Sequence, residues 1–113
     1  MRLTTVTASL FAASIMLTLA PSVHADPDTD FATELHAQGI YGPRDYNAWV
    51  GKIMCKRLAT GVDSNAFESA KFISNNLARG TTTEQSWQFL SAGMRTYCPE
   101  QLPALAAAVD PQD

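Results

Sequence analysis

The sequence predicts an all-α fold: a compact bundle or orthogonal array of four or five short helices stapled by one disulfide. Three observations point there. Apolar residues recur at 3- and 4-residue steps in successive segments separated by Gly and Pro, which is the helical period. No segment alternates apolar and polar residues for long enough to make a strand. The chain has 113 residues, 46% hydrophobic and 17% charged, which suits one small domain and is too apolar for a wholly disordered one.

Residues 1–25 read as a secretory signal peptide rather than as part of that bundle. Arg2 supplies the positive start, residues 6–20 are apolar or small without a charge, and Pro21 breaks the run. Val23-His24-Ala25 then offers small residues at the −3 and −1 positions, so cleavage is expected between Ala25 and Asp26. The run is shorter than the roughly 20 residues of a membrane span, so no transmembrane span is expected after cleavage. Cleavage would leave 88 residues, 26–113, as a single domain, with a core at about 28–99 and a tail at 100–113. The formal charge would move from −3 to −4 as Arg2 is lost.

The first helix follows an acidic lead-in, residues 26–30, in which Asp28 or Thr29 is the expected cap. It runs to about Gln38, with Phe31 and Leu35 on one face. Gly39 stops it, and Ile40 falls where a Schellman motif places its apolar contact. Tyr41-Gly42-Pro43 turns the chain, and Pro43 suits the first turn of a second helix. Tyr46, Trp49, Val50, Ile53, Met54 and Leu58 form that helix's stripe. Basic Lys56 and Arg57 favour its C-terminus, and Gly61 ends it.

Asp63 or Ser64 is the expected cap of the third helix. Its stripe is Ala66, Ala70, Ile73 and Leu77, with Phe67 at the edge and Arg79-Gly80 as its end. The fourth helix opens on a capping box, Thr82 with Gln85 three residues on. Trp87, Leu90, Met94 and Tyr97 line one face, and Pro99 follows Cys98. Leu102, Leu105 and Val109 can add a short helix within 100–109, with Pro103 limiting where it starts, before a fraying end at 110–113.

Cys55 and Cys98 are the only cysteines. In an exported chain they are expected to pair, because the compartment is oxidising and only one connectivity exists. Cys55 lies at the rim of the second stripe and Cys98 at the end of the fourth, so the bridge would staple those two helices. It closes a loop of about 43 residues, for which the chain-entropy model gives roughly 4 kcal/mol. A redox pair prefers C-x-x-C spacing and a zinc site needs more ligands, so neither is expected.

The ordered combination of D-x-x-F at the mature start, Gly39-Ile40, Cys55 and a capped last helix closing in Tyr97-Cys98-Pro99 resembles the actinobacterial, mainly mycobacterial, secreted family called domain of unknown function 732. The likeness covers about residues 28–99. It implies a small exported helical domain with one disulfide and brings no established activity, so no catalytic residue is transferred. It also implies a small residue near Gly51, which would let the second helix approach a neighbour closely.

No catalytic set is legible. After cleavage His36 is the one histidine, on the rim of the first helix, and a triad or zinc site needs convergent partners. Asp26, Asp28 and Asp30 lack the Gly and distal Glu of a calcium loop and read as an acidic helix start. Glu34, Asp45, Glu68, Glu84 and Glu100 are dispersed. Lys52, Lys56 and Arg57 read as a solvated face, and a pI of about 5.2 argues against nucleic acid. The one anomaly is aromatic. Phe72 lies opposite the third stripe and Phe89 lies off the fourth, so an exposed Phe72/Phe89 pair is a candidate binding surface. The competing expectation is that neighbouring helices cover both rings.

These features suggest a secreted, non-enzymatic binding or host/cell-envelope interaction protein. Its partner would be an unidentified protein or envelope component. A monomer is expected, with no cofactor and no metal. The alternative is a carrier of haem or lipid with Met54 and Met94 lining an internal pocket, although methionines at stripe spacing are usually core. An enzyme ranks third.

Overall fold

A computed structural model describes residues 26–109, and every structural statement below refers to them. Ala25, one side of the expected cleavage point, and the tail at 110–113 lie outside the described residues. The elements are α1 (Pro27–Ala37), α2 (Arg44–Ala59), α3 (Ala66–Asn76), α4 (Thr83–Tyr97), a 3-10 turn (Pro99–Gln101) and α5 (Leu102–Val109). All described regular structure is helical, as the periodicity predicts.

Helix boundaries follow local chemistry, with some displacements from expectation. The cap of α1 is Asp26, not Asp28 or Thr29. Pro27 takes the first helical position, where its missing N–H costs nothing, and Asp26 Oδ1 accepts the Thr29 N–H at 2.7 Å. The other end is as read: Gly39 adopts a positive φ of 78°, its N–H reaches His36 O, and the Ile40 N–H reaches Leu35 O. Those two bonds are the Schellman pair, and Ile40 is buried behind them. Pro43 sits one residue before α2 as its cap, rather than inside its first turn.

The cap of α3 is Asn65, whose Oδ1 accepts the Glu68 N–H at 3.0 Å, while Glu68 Oε1 accepts the Ser64 N–H. Asp63 resembles a cap in sequence but is otherwise engaged. Its carboxylate is buried, receives Arg57 through two bonds at 2.8 and 3.0 Å, and accepts the Ser69 hydroxyl at 2.9 Å. Arg57 also lies over the Phe72 ring at 4.4 Å. The α3 helix stops at Asn76, short of Arg79-Gly80. There Leu77 turns to an extended backbone and lays its side chain against the core. The Thr82–Gln85 capping box of α4 forms in both directions.

The main revision concerns which side of α2 is buried. Val50 and Met54 are in the core as expected, but Tyr46 and Trp49 are exposed. Their places are taken by Asn47, Ala48 and Gly51. The cause is close approach. A Cβ at Gly51 would stand 3.2–3.4 Å from the Tyr97 and Phe31 rings, and one at Gly93 of α4 would come within 3.9 Å of the Gly51 backbone. Two glycines thus let α2 and α4 pack closely, with the Phe31 and Tyr97 rings against Gly51 and the Met54 methyl seated on Gly93.

The core gathers Phe31, Leu35, Ile40, Val50, Met54, Ile73, Phe89, Leu90 and Met94. Helix α4 meets α1, α2, α3 and α5, which explains why it buries a broad arc rather than one stripe. Cys55 and Cys98 form the predicted disulfide, and no free cysteine remains among the described residues. No described helix is long and apolar enough to cross a membrane.

Candidate functional site

The Phe72/Phe89 surface is not formed. Phe89 is 0% exposed and meets Phe31 edge to face at 5.1 Å, because the wide buried arc of α4 takes it inside. Phe72 is half-buried beneath the Arg57 guanidinium and packs on the rim of the core. His36 is exposed, with its ring against Tyr41 at 5.2 Å. The basic trio separates: Lys52 pairs with Asp28, Arg57 with Asp63, and Lys56 stands exposed. Met54 and Met94 are both fully buried in the packed core, so they line no internal pocket. Among the described residues no group of three His, Cys, Asp or Glu side chains is placed to hold a metal.

One polar cluster joins distant segments. The Tyr97 hydroxyl donates to Asp28 Oδ1 at 2.7 Å, and Lys52 Nζ reaches both carboxylate oxygens at 3.3 Å. The hydrogen bond from Tyr97, helped by Lys52 and opposed by burial, holds the Asp28 carboxyl below its ordinary 3.8. Burial, and then the bond to Asp28, push the Tyr97 phenol well above its ordinary 10.0. These shifts make the cluster a clamp between α1 and α4 that works at neutral pH. Asp28's contribution is present above 3.8 and disappears as pH falls through its lowered value. Tyr97's contribution is present below 10.0 and disappears as pH climbs past it. Tyr97→Phe should therefore cost about 1 kcal/mol at pH 7, at the low end for a charged hydrogen bond because Asp28 is partly solvated. It should also flatten the loss of stability below pH 4. Urea midpoints at pH 7, 4 and 2.5 check both points, and an unchanged acid limb would reject the clamp.

A different feature has the shape of a binding site. Helices α3 and α4 pack against each other, and a groove of about 240 Å³ opens between them. From α3 it is lined by Phe67, Ala70, Lys71 and Ser74, which are one face of a helix at steps of three and four. From α4 come Thr83, Ser86 and Trp87 on the same spacing. Small Ala70 and Ser86 make the floor. Phe67, 57% exposed, stands edge to face with Trp87 at 5.3 Å and forms an aromatic corner.

The polar groups of this groove are mostly unpaired. Ser86 is 2% exposed, and its Oγ has no hydrogen-bond partner. Lys71 is the only charged residue in the lining and makes no ion pair with a described residue. Sequence reasoning placed Phe67 at a stripe edge and Trp87 within a stripe, and so missed their meeting. A signal was present: Ser86 sits between Trp87 and Thr83 on a face that continues into Leu90.

The comparisons with known proteins cover the same stretch of chain. The family model described as Protein of unknown function (DUF732) matches residues 27–100. The chain is similar to two proteins of Mycobacterium tuberculosis, Uncharacterized protein MT0585 of strain CDC 1551 and Uncharacterized protein Rv0559c of strain H37Rv. Each is 51% identical over 89 residues, covering 79% of this chain and 80% of the relative. No solved structure matches. A family match that spans α1 to the 3-10 turn, together with relatives 51% identical over four-fifths of their length, means that this chain belongs to the family described as Protein of unknown function (DUF732).

Proposed function

We propose that the chain is exported, is cut between Ala25 and Asp26, and acts outside the cytoplasm as a non-enzymatic binding protein whose contact site is the α3/α4 groove. The observation behind this reading is the groove itself: a fixed aromatic corner above a buried hydroxyl that lacks a partner. Leaving such a group unpaired costs about 1–3 kcal/mol. Local rules are broken in this way most often where function needs it. Two further facts fit export. Both cysteines are paired, which suits an oxidising compartment. Asp26 caps α1, so a cut before it would leave each described element whole. The partner would be a protein or an envelope component met by a monomer. A haem or lipid is a poorer match to this groove, because about 240 Å³ falls below the 300–1,000 Å³ usual for larger ligands.

Native mass spectrometry of the protein recovered from its own culture medium tests this directly. The expected species is a monomer of residues 26–113, lighter by the two thiol hydrogens, with a bound molecule that the Phe67→Ala/Trp87→Ala variant fails to retain. An uncut chain confined to the cell would reject the export reading. Equal retention by the variant would reject the groove.

A further inference from the structure

The last helix is held differently from the other four. Each of α1–α4 buries two or more side chains. Polar groups also tie them across: Lys52 and Tyr97 to Asp28, Arg95 to Glu34, Arg57 and Ser69 to Asp63, and the Tyr46 hydroxyl to Asn76 O. Helix α5 buries none of its eight residues. Leu102, Ala104, Leu105 and Ala108 lean on the core over α3 and α4, while Pro103, Ala106, Ala107 and Val109 face solvent. All eight residues are Leu, Pro, Ala or Val, so no side chain of α5 can make a polar tie. Eight residues fall below the roughly 12–15 at which an isolated helix is even marginal in water. The next residue, Asp110, is acidic, which is the unfavourable sign at a helix C-terminus.

The change from tied to untied chain is abrupt. In the last turn of α4, Arg95 reaches Glu34 at 2.7 Å and the Tyr97 hydroxyl reaches Asp28 at 2.7 Å; Cys98 is then bonded to Cys55. Pro99 follows at once, and Pro99 and Glu100 of the 3-10 turn are exposed. The family match ends in that turn, at residue 100, so it contains α1–α4 and both cysteines and leaves α5 out. We propose that α5 is a hinged strap, which lifts from α3 and α4 as one unit about the turn at Pro99–Gln101 while α1–α4 stay folded. A thinly attached segment opens at far less cost than the whole molecule. Lifting uncovers Leu102 and Leu105 together with the part of the core on which they rest, an apolar surface that the closed form covers. No α5 residue lines the Phe67–Trp87 groove, so the strap is a separate device and does not depend on the binding reading above.

Native-state hydrogen exchange of the disulfide-intact protein, read by amide NMR in rising sub-denaturing urea, tests the strap. The amides of Ala106, Ala107, Ala108 and Val109 should share one protection factor, at least about a hundredfold below that of the slowest α2 and α4 amides. Their urea dependence should be much weaker, because lifting one short helix exposes little surface. The Arg95, Thr96 and Tyr97 amides should exchange with the core. Protection that declines residue by residue toward Val109 would make α5 a fraying end and overturn the hinged unit. Amides of α5 that exchange with the core would overturn it as well. Ala106→Pro is a second test. Proline there removes one helical hydrogen bond and clashes with the Leu102 carbonyl, so this variant holds the strap open. It should keep a single cooperative unfolding transition and the amide shifts of α1, and it should bind the apolar dye anilinonaphthalene sulfonate more than the unaltered protein does. Loss of the transition or of the α1 shifts would make α5 an integral part of the core and overturn the proposal. Unchanged dye binding would overturn the uncovered surface.

Discussion

Phe31→Ala should destabilise the protein by about 3–5 kcal/mol, the range for deleting a buried Phe. The upper part of that range is expected because of what surrounds the ring. Phe31 is 1% exposed and meets Phe89 at 5.1 Å and Tyr97 at 5.2 Å, both edge to face. On its other sides are Gly51 and Gly93, which have no side chains to relax into a vacated space, and the Met54 methyl seated on Gly93 is the flexible neighbour there. Their backbones are already in close approach, so α2 and α4 have little room to close over it. The void would lie where α1, α2 and α4 meet and would stay apolar, and dry apolar cavities take up small hydrocarbons. Chemical denaturation at pH 7 should show the lower midpoint with an unchanged slope. Adding benzene should raise the melting temperature of the variant and not that of the unaltered protein. A loss below about 1.5 kcal/mol would mean that the helices do collapse, and that the glycine crossing is looser than the structure shows.

That crossing also marks the limit of what the sequence makes legible. Features decided within a few residues read correctly. Phe31 and Leu35 share a buried face, Gly39-Ile40 closes α1, and Thr82 with Gln85 opens α4. Each is a local contest in which one residue type has a clear physical advantage. The buried side of α2 is different. By apolar area Tyr46 and Trp49 have far more to bury than Ala48 and Gly51, yet the small residues face inward because α4 comes too close for anything larger. Asp63 is a second case. As a type it is a good cap, but Arg57 six residues earlier and Ser69 six residues later satisfy it in the interior. The groove is a third. Phe67 and Trp87 lie twenty residues apart on separate helices, and only the packing of α3 against α4 brings them together. In all three, the deciding partner is on another element, and no periodicity within one element records it. The same reason explains Phe89: its helix is surrounded, so a position off the main stripe is still inside.

Removing the cross-link through Cys55→Ala/Cys98→Ala should cost about 2–5 kcal/mol, with a fall in melting temperature of at least about 10 °C for a domain of this size. The two cysteines are 43 residues apart, and the loop they close contains all of α3 and all of α4. The bridge therefore restricts the unfolded chain more than it adds to the folded one, and the chain-entropy model puts that restriction near 4 kcal/mol. Domains of about 90 residues have in total only about 4–13 kcal/mol, so the loss is a large share. Two comparisons separate cross-linking from packing. Reduction of the unaltered protein keeps both sulfurs in place, so it should account for most of the loss seen in the variant. Any excess in the variant then reports the space left at Cys98, which is 2% exposed, rather than the lost covalent tie. The denaturation slope should also rise in both, because an open chain exposes more surface than a looped one. A loss below about 1 kcal/mol by either route would show that the five helices hold without the bridge. Since both walls of the groove lie inside the loop and contact each other directly, the reduced protein should still bind its ligand at temperatures where it remains folded. The disulfide would then set how long the site persists outside the cell, while the aromatic corner of Phe67 and Trp87 sets what it takes.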